Sequence, residues 1–315
     1  MKLYFCSDIH GSDLCWRKFL AAPKFYGADV IVCGGDITGK FMVPIIRQPD
    51  GSWTSPFMGV QRRARTEAEL VTLRQRIADA GQYAFETTPE EHEAFEGDQA
   101  AIDARFRRLV VERVERWLTM AEERLRGTGV RVLVSGANDD FYEIDQALAG
   151  SDVIEDPNGR VVELDRGIEY IGVGYGNPTP WNCPRDKTEE QLGQMIEKVA
   201  SQLKNPTQAV FNLHVPPYDT NLDVAPELDE TLTPKLSVTG GFKMVPVGSK
   251  AVRSAIEEYK PLVGLHGHIH ESRSAQKIGR TLCINPGSEY GEGVLRGVVL
   301  ELSSKGLDHY TFTQN

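Results

Sequence analysis

Seven side chains of metal-binding type recur just after short apolar runs. Asp8 and His10 form a D-x-H pair behind Leu3–Cys6. In an extended chain residues i and i+2 point the same way, so one carboxylate and one imidazole can face a single ion. Gly34-Gly35-Asp36-Ile37-Thr38-Gly39 follows Val30–Cys33, and its glycines allow a sharp turn that presents Asp36. Asn138-Asp139-Asp140 follows Val130–Val134, and His214 follows Phe211-Asn212-Leu213. Gly267-His268-Ile269-His270 gives a second i, i+2 pair behind Leu262–Leu265. Each fragment alone reads as a strand-end polar pair, a turn or a structural histidine. The combination reads differently. Three of the seven histidines lie in i, i+2 pairs and a fourth, His214, follows a strand. Loops at the carboxyl ends of strands in α/β folds converge on one crevice. Imidazole, carboxylate and amide donors together suit Mn, Fe or Zn better than Ca or Mg. The chemistry open to such a set is metal-assisted hydrolysis.

The elements that must position these residues are legible as apolar runs bounded by turn residues. Leu3–Cys6, Val30–Cys33, Val130–Val134, Ile168–Val173, Ala209–Leu213 and Leu262–Leu265 read as buried strands. Helical stretches such as Thr188–Leu203 and Ser249–Tyr259 separate several of them, which predicts α/β layering. Ser272–Ile278, Arg280–Ile284, Leu295–Leu302 and Gly306–Thr313 are closely spaced and predict an antiparallel meander closing one sheet. Residues 61–80 and 89–126 are charged, poor in turn signals and apolar at helical spacing, with a break expected near Gly97. Residues 41–60, with Pro44, Pro49, Gly51, Pro56 and Gly59, read as a loop leading into them. The expected division is a core of residues 1–60 and 129–315 with a helical insertion over 61–128. The apolar stripe of that insertion must be buried, either on the core as a cap or against a second copy in a homo-oligomer.

The chain has 315 residues and a formal net charge of -10. That balance argues against an extended nucleic-acid surface, which needs a positive field. A small phosphorylated substrate stays open, because bound cations would reverse the field locally. The opening apolar run turns polar at Ser7-Asp8, too soon for a signal segment, and no stretch approaches a membrane span. The five cysteines show no C-x-x-C spacing, so reduced thiols and a cytoplasmic location are expected.

Two other motifs compete. Gly34 to Lys40 matches G-x-x-x-x-G-K, but Phe41 stands where a P-loop needs Ser or Thr, and Asp36 would put negative charge in a phosphate cradle. Gly172-Val173-Gly174-Tyr175-Gly176-Asn177 lacks the final glycine of a dinucleotide loop, and Pro178 follows.

The series D-x-H, G-D-x-x-G, Asn138 with an acidic follower, His214 and G-H-x-H resembles the calcineurin-like metallophosphoesterase superfamily. The likeness covers residues 1–40 and 130–290, and Asn285-Pro286-Gly287-Ser288 is similar to a segment of its small prokaryotic phosphodiesterases. The resemblance implies a four-layer α-β-β-α sandwich of two mixed sheets flanked by helices. It also implies that Asp8, His10 and His270 hold one metal, that Asn138, His214 and His268 hold the other, and that Asp36 bridges them. Two such ions lower the pKa of a shared water and clamp the phosphoryl oxygens, so a metal-bridging hydroxide would attack phosphorus. The alternatives are a phosphomonoesterase and a non-catalytic metal-binding scaffold of the same fold.

Two departures from the family pattern stand out. Ala137 replaces the usual Gly before the Asn. Asp139 takes the place of the family's His, which is assigned to protonating the leaving group. A carboxylate facing two cations stays ionised and would repel a dianionic monoester. Phosphodiesters are therefore expected to be preferred over unactivated monoesters, with Asp139, Asn138 and His214 as the catalytic candidates. Tyr175, Asn177, Tyr218, His266, Tyr290 and Arg296 lie near the motifs as further candidates for substrate contact or proton transfer.

Overall fold

The computed structural model describes residues 1–165, 167–238 and 240–315. Its centre is two six-stranded mixed sheets. The first runs in the order β18 (Gly306–Gln314), β17 (Arg296–Ser303), β1 (Lys2–Cys6), β2 (Val30–Cys33), β7 (Arg131–Val134), β8 (Ile154–Glu155). The second runs β15 (Ser274–Ile278), β16 (Thr281–Asn285), β14 (Val263–Leu265), β11 (Val210–Leu213), β10 (Ile168–Val173), β9 (Val161–Asp165). The facing sides of the sheets share one apolar layer, with Leu3, Phe5, Val32 and Leu133 from the first and Tyr170, Val210, Leu265 and Ile284 from the second. Helices α1 (Asp13–Tyr26), α4 (Gln99–Leu125) and α5 (Glu143–Ala149) cover the outer face of the first sheet. Helices α6 (Glu189–Ala200) and α7 (Lys250–Tyr259) cover the second through Leu192, Ile196, Val252 and Ile256. This is the four-layer arrangement expected, and the six runs read as buried strands are all strands.

The C-terminal strands differ from the expected single meander. They form two hairpins on different sheets, β15–β16 on the second and β17–β18 on the first. Strand β1 offers an edge opposite β2, and β17 fills it antiparallel, with Lys2 opposite Glu301. Val298, Leu300 and Leu302 then alternate into the layer between the sheets. The segment joining the hairpins passes the crevice, where the Ser288 hydroxyl donates to Asp8 O at 2.6 Å.

The insertion holds the expected helices and, in addition, a small sheet. Helices α2 (Glu67–Asp79), α3 (Pro89–Glu96) and α4 are present, with the break at Gly97 and a Thr88/Glu91 capping box opening α3. Residues 41–60 are not a loop. Strands β3 (Met42–Arg47), β4 (Trp53–Phe57), β5 (Val60–Ala64) and β6 (Tyr83–Thr87) form a four-stranded sheet under α2. Pro44 and Pro56 read as strand breakers, yet each sits where its strand is paired on one side only, which is where a sheet tolerates proline. The apolar stripe of α4 is buried on α1. Trp117 stacks on Trp16 at 4.8 Å between ring centroids, and Val110, Val114 and Ala121 join Phe19 and Leu20. Among the described residues no helix is long and apolar enough to cross a membrane.

Candidate metal centre

All seven metal-type residues lie at the carboxyl ends of parallel strands. Asp8 and His10 leave β1, Asp36 leaves β2, Asn138 leaves β7, His214 leaves β11, and His268 and His270 leave β14. Their convergence does not come from the alternation of an extended chain. Asp8 (φ 56°), His10 (φ 37°), Asp36 (φ 50°) and His268 (φ 66°) all adopt left-handed backbone. Such a conformation costs a residue with a side chain roughly 1–3 kcal/mol, and it concentrates at functional sites.

Three overlapping groups of possible metal ligands result, Asp8/His10/His270, Asp36/His214/His268 and His10/Asp36/Asp139, each with ligand atoms within 4.8 Å of one another. His10 Nε2 is 3.0 Å from His270 Nε2, and Asp8 Oδ1 is 3.5 Å from His270 Nε2 and 3.8 Å from His214 Nε2. His214 Nε2 is also 3.1 Å from Asp36 Oδ2. The rings are aimed from behind. His10 Nδ1 lies 3.2 Å from Thr38 O and His214 Nδ1 3.3 Å from Gly34 O, which turns both Nε2 atoms inward. Asn138 Oδ1 is buried with no hydrogen-bond partner among the described residues. An orphaned buried acceptor beside clustered imidazoles and carboxylates is the donor set a divalent cation requires.

The electrostatics agree. Burial alone would raise Asp36 and Asp8, but the neighbouring imidazoles, His214 foremost, hold both well below the carboxylate range. Burial would lower His214, but Asp36 outweighs it and brings the imidazole to about 9. Burial dominates at His10 and takes it down to about 4. The proton that His214 shares with these carboxylates is what a cation would displace on binding.

Close backbone approaches make the cluster possible. A Cβ at Gly267 would stand 2.2 Å from Asp8 Oδ2 and 2.3 Å from Ser7 Oγ. Gly267→Ala is therefore expected to displace Asp8 and weaken metal binding by about 10–100-fold, the usual scale for disturbing a ligand's support. Calorimetric titration with Mn²⁺ would measure it, and wild-type affinity in the variant would show that Asp8 is not a ligand. Ala137 fits because Gly35 faces it, where a Cβ would come within 2.3 Å of the Ala137 methyl.

Asp139 does enter the crevice. It forms an ion pair with Lys40, accepts a hydrogen bond from Cys183 Sγ at 2.8 Å, and donates its own N–H to Asp36 Oδ1 at 3.0 Å. Burial would lower the Lys40 ammonium, but Asp139 holds it above its ordinary range. Lys40 is therefore not a ready proton donor.

Sequence reasoning gave Lys40 only the P-loop role and left Asp140 unassigned. Asp140 locks two loops together, accepting from Ile37 N (3.1 Å), Thr38 N (2.8 Å), Thr38 Oγ1 (2.5 Å) and Ala137 N (2.7 Å). Burial, helped by the Asp36 charge, pushes it up to about 6. Buried Arg185 braces the same turn through Asp140 O at 2.8 Å. Tyr290 stands with its ring 4.7 Å from that of His10. His266 and Tyr218 do not line the crevice. His266 is buried with Nδ1 2.6 Å from Leu213 O, and Tyr218 lies under Lys250. Arg296 is committed to Glu289.

No protein-family model matches the chain. It is 33% identical over 173 residues to uncharacterized protein MJ1162 of Methanocaldococcus jannaschii, an overlap of 51% of this chain and 71% of that protein. One solved structure superposes with a TM-score of 0.59 at 16% identity, covering 99% of this chain and 98% of its own. TT1561 of Thermus thermophilus superposes at 0.54 with 13% identity, covering 100% and 97%. At these identities the likeness is one of fold.

Proposed function

Because the chain belongs to one family with MJ1162 and has the calcineurin-like metallophosphoesterase fold, we propose that it is a dinuclear metal-dependent phosphoesterase that prefers phosphodiesters to unactivated monoesters. The observation that carries this reading is the set of adjacent Asp/His groups with the buried Asn138 Oδ1, which has no hydrogen-bond partner among the described residues. Asp8, His10 and His270 would hold one ion, Asn138, His214 and His268 the other, and Asp36 both. Two divalent ions of the Mn, Fe or Zn type supply Lewis acidity and an activated water.

The chain's own residues do the rest. Asp140 and Arg185 keep the 36–38 and 137–140 turns in register. Lys40 neutralises Asp139 at the edge of the crevice, and with Lys40 holding its proton firmly no strong acid faces a departing alkoxide. A diester keeps one negative charge less than a monoester dianion and meets less repulsion from the carboxylates. Hydrolysis adds water across one P–O bond and yields a monoester and an alcohol.

The test is metal analysis together with kcat/KM for bis-p-nitrophenyl phosphate and for an alkyl monophosphate. Protein loaded with Mn, Zn or Fe is expected to carry close to two equivalents and to favour the diester. Asp139→His is expected to raise the monoester-to-diester ratio toward the about 10²–10⁴-fold that a positioned imidazolium contributes. Protein that binds no ion and stays inactive with all three metals would overturn the enzyme reading. A wild type that favours the alkyl monoester would overturn the diester preference.

A further inference from the structure

Beyond the metal-type cluster the crevice opens into a groove of about 530 Å³, within the size range of small-molecule sites. One wall carries Pro180 and Trp181, and the other carries Leu228, Leu232, Pro234 and Val245. Trp181 is 63% exposed and Leu232 43%, so large apolar side chains stand open to water beside the reacting centre. Burying such surface under a ligand is favourable in proportion to its area.

Both walls are braced. Asp186 accepts hydrogen bonds from Thr179 N (2.9 Å), Thr179 Oγ1 (2.8 Å) and Cys183 N (3.0 Å), which fixes the turn carrying Trp181. On the opposite side Leu228 bridges Pro234, and Glu227 ties down Lys235 at 2.7 Å as well as Lys243.

The charge lining selects further. Among the described residues of the groove Lys40 is the only lysine or arginine, and Asp139 already neutralises it. Glu271 adds negative charge along the wall, while Glu227 is already paired with Lys235 and Lys243. A second phosphate, or a nucleic-acid backbone, would find there only lysines already paired with carboxylates: Lys40 with Asp139, and Lys235 and Lys243 with Glu227. Asn177 Nδ2 donates to Val247 O at 3.3 Å, while its Oδ1 is buried without a partner among the described residues.

We infer that the substrate is a phosphodiester with a single phosphate and one bulky apolar ester group, seated between Trp181 and the Leu228–Val245 wall. Diphosphates and oligonucleotides are excluded by the same groove. The inference rests on the phosphoesterase reading for its reacting group, and the test separates the two.

Methylphosphonate and hexylphosphonate, whose P–C bonds resist hydrolysis, are titrated calorimetrically into Mn-loaded protein. In parallel, kcat/KM is measured for methyl and hexyl p-nitrophenyl phosphates. Each buried methylene can add up to about fourfold, so hexyl over methyl is expected to exceed about tenfold in both Kd and kcat/KM. Trp181→Ala and, separately, Leu232→Ser are expected to shrink both ratios. A hexyl preference in binding with no turnover of either ester would uphold the groove assignment and overturn the phosphoesterase reading. Turnover with equal methyl and hexyl values would overturn the groove assignment alone. Equal binding without turnover, or tighter binding of pyrophosphate or a thymidine dinucleotide than of hexylphosphonate, would overturn it as well.

Discussion

Asp36→Asn is expected to empty both metal positions and to abolish phosphodiester hydrolysis, the largest functional effect of any single substitution in the chain. Asp36 Oδ2 lies 3.1 Å from His214 Nε2, and Asp36 groups with His214 and His268 on one side and with His10 and Asp139 on the other, so the carboxylate reaches both halves of the cluster. Asparagine keeps the volume and one acceptor oxygen but loses the charge that two divalent ions would share. Disturbing a ligand's supporting partner already costs about 10–100-fold in metal affinity, and loss of the shared carboxylate should exceed that at each position. Elemental analysis after dialysis against a weak chelator measures the result, with circular dichroism to verify folding. A folded variant that keeps both ions would remove Asp36 from the bridging role.

The largest structural effect is expected at Trp117. Its ring is 2% exposed and stacked on Trp16, its Nε1 donates to Asp13 Oδ1 at 2.7 Å, and Trp16 Nε1 donates back to Trp117 O at 3.2 Å. Arg113 and Arg116 converge on the same aspartate. Truncating a buried tryptophan to alanine costs about 3–5 kcal/mol. At about 2–4 °C per kcal/mol for a chain of this order of size, the melting temperature should fall by roughly 6–20 °C. Val71→Ala on the exposed face of α2 is the control, expected within about 0.5 kcal/mol of wild type. Wild-type melting of the Trp117→Ala variant would mean that α4 is not docked on α1 in solution.

The site was legible in the sequence because its residue types are chemically specific and each follows a strand whose apolar run is local. Asp8, His10, Asp36, Asn138, His214, His268 and His270 could be picked out without knowing how the strands order themselves. What escaped depends on distant segments meeting. The Lys40–Asp139 pair joins two different loops, and Asp140 acts through backbone groups at positions 37, 38 and 137. The groove walls come from residues 178–183 and 225–247, which carry no motif. The insertion sheet was hidden by Pro44 and Pro56, because a proline's tolerance depends on which strand edge is paired. The two C-terminal hairpins look alike in sequence, and only the open edge of β1 assigns one of them to the first sheet.

The pairing of β1 has a consequence for how the protein comes into being. The backbone N–H of His268 bonds to the Asp8 carboxylate across 260 positions, and β1 has a complete set of neighbours only when β17 arrives later still. At about 5–20 residues per second of synthesis, Asp8 and His10 wait roughly 13–50 s for the histidines that complete their cluster. A growing chain therefore holds an incomplete ligand set, with Asp8, His10, Asp36 and Asp139 made early, and the cage closes only when nearly the whole polypeptide has been made. Contacts of such long range also slow folding itself. Cell-free synthesis stalled before residue 268 should yield nascent chains that hold metal more weakly than the full-length protein does.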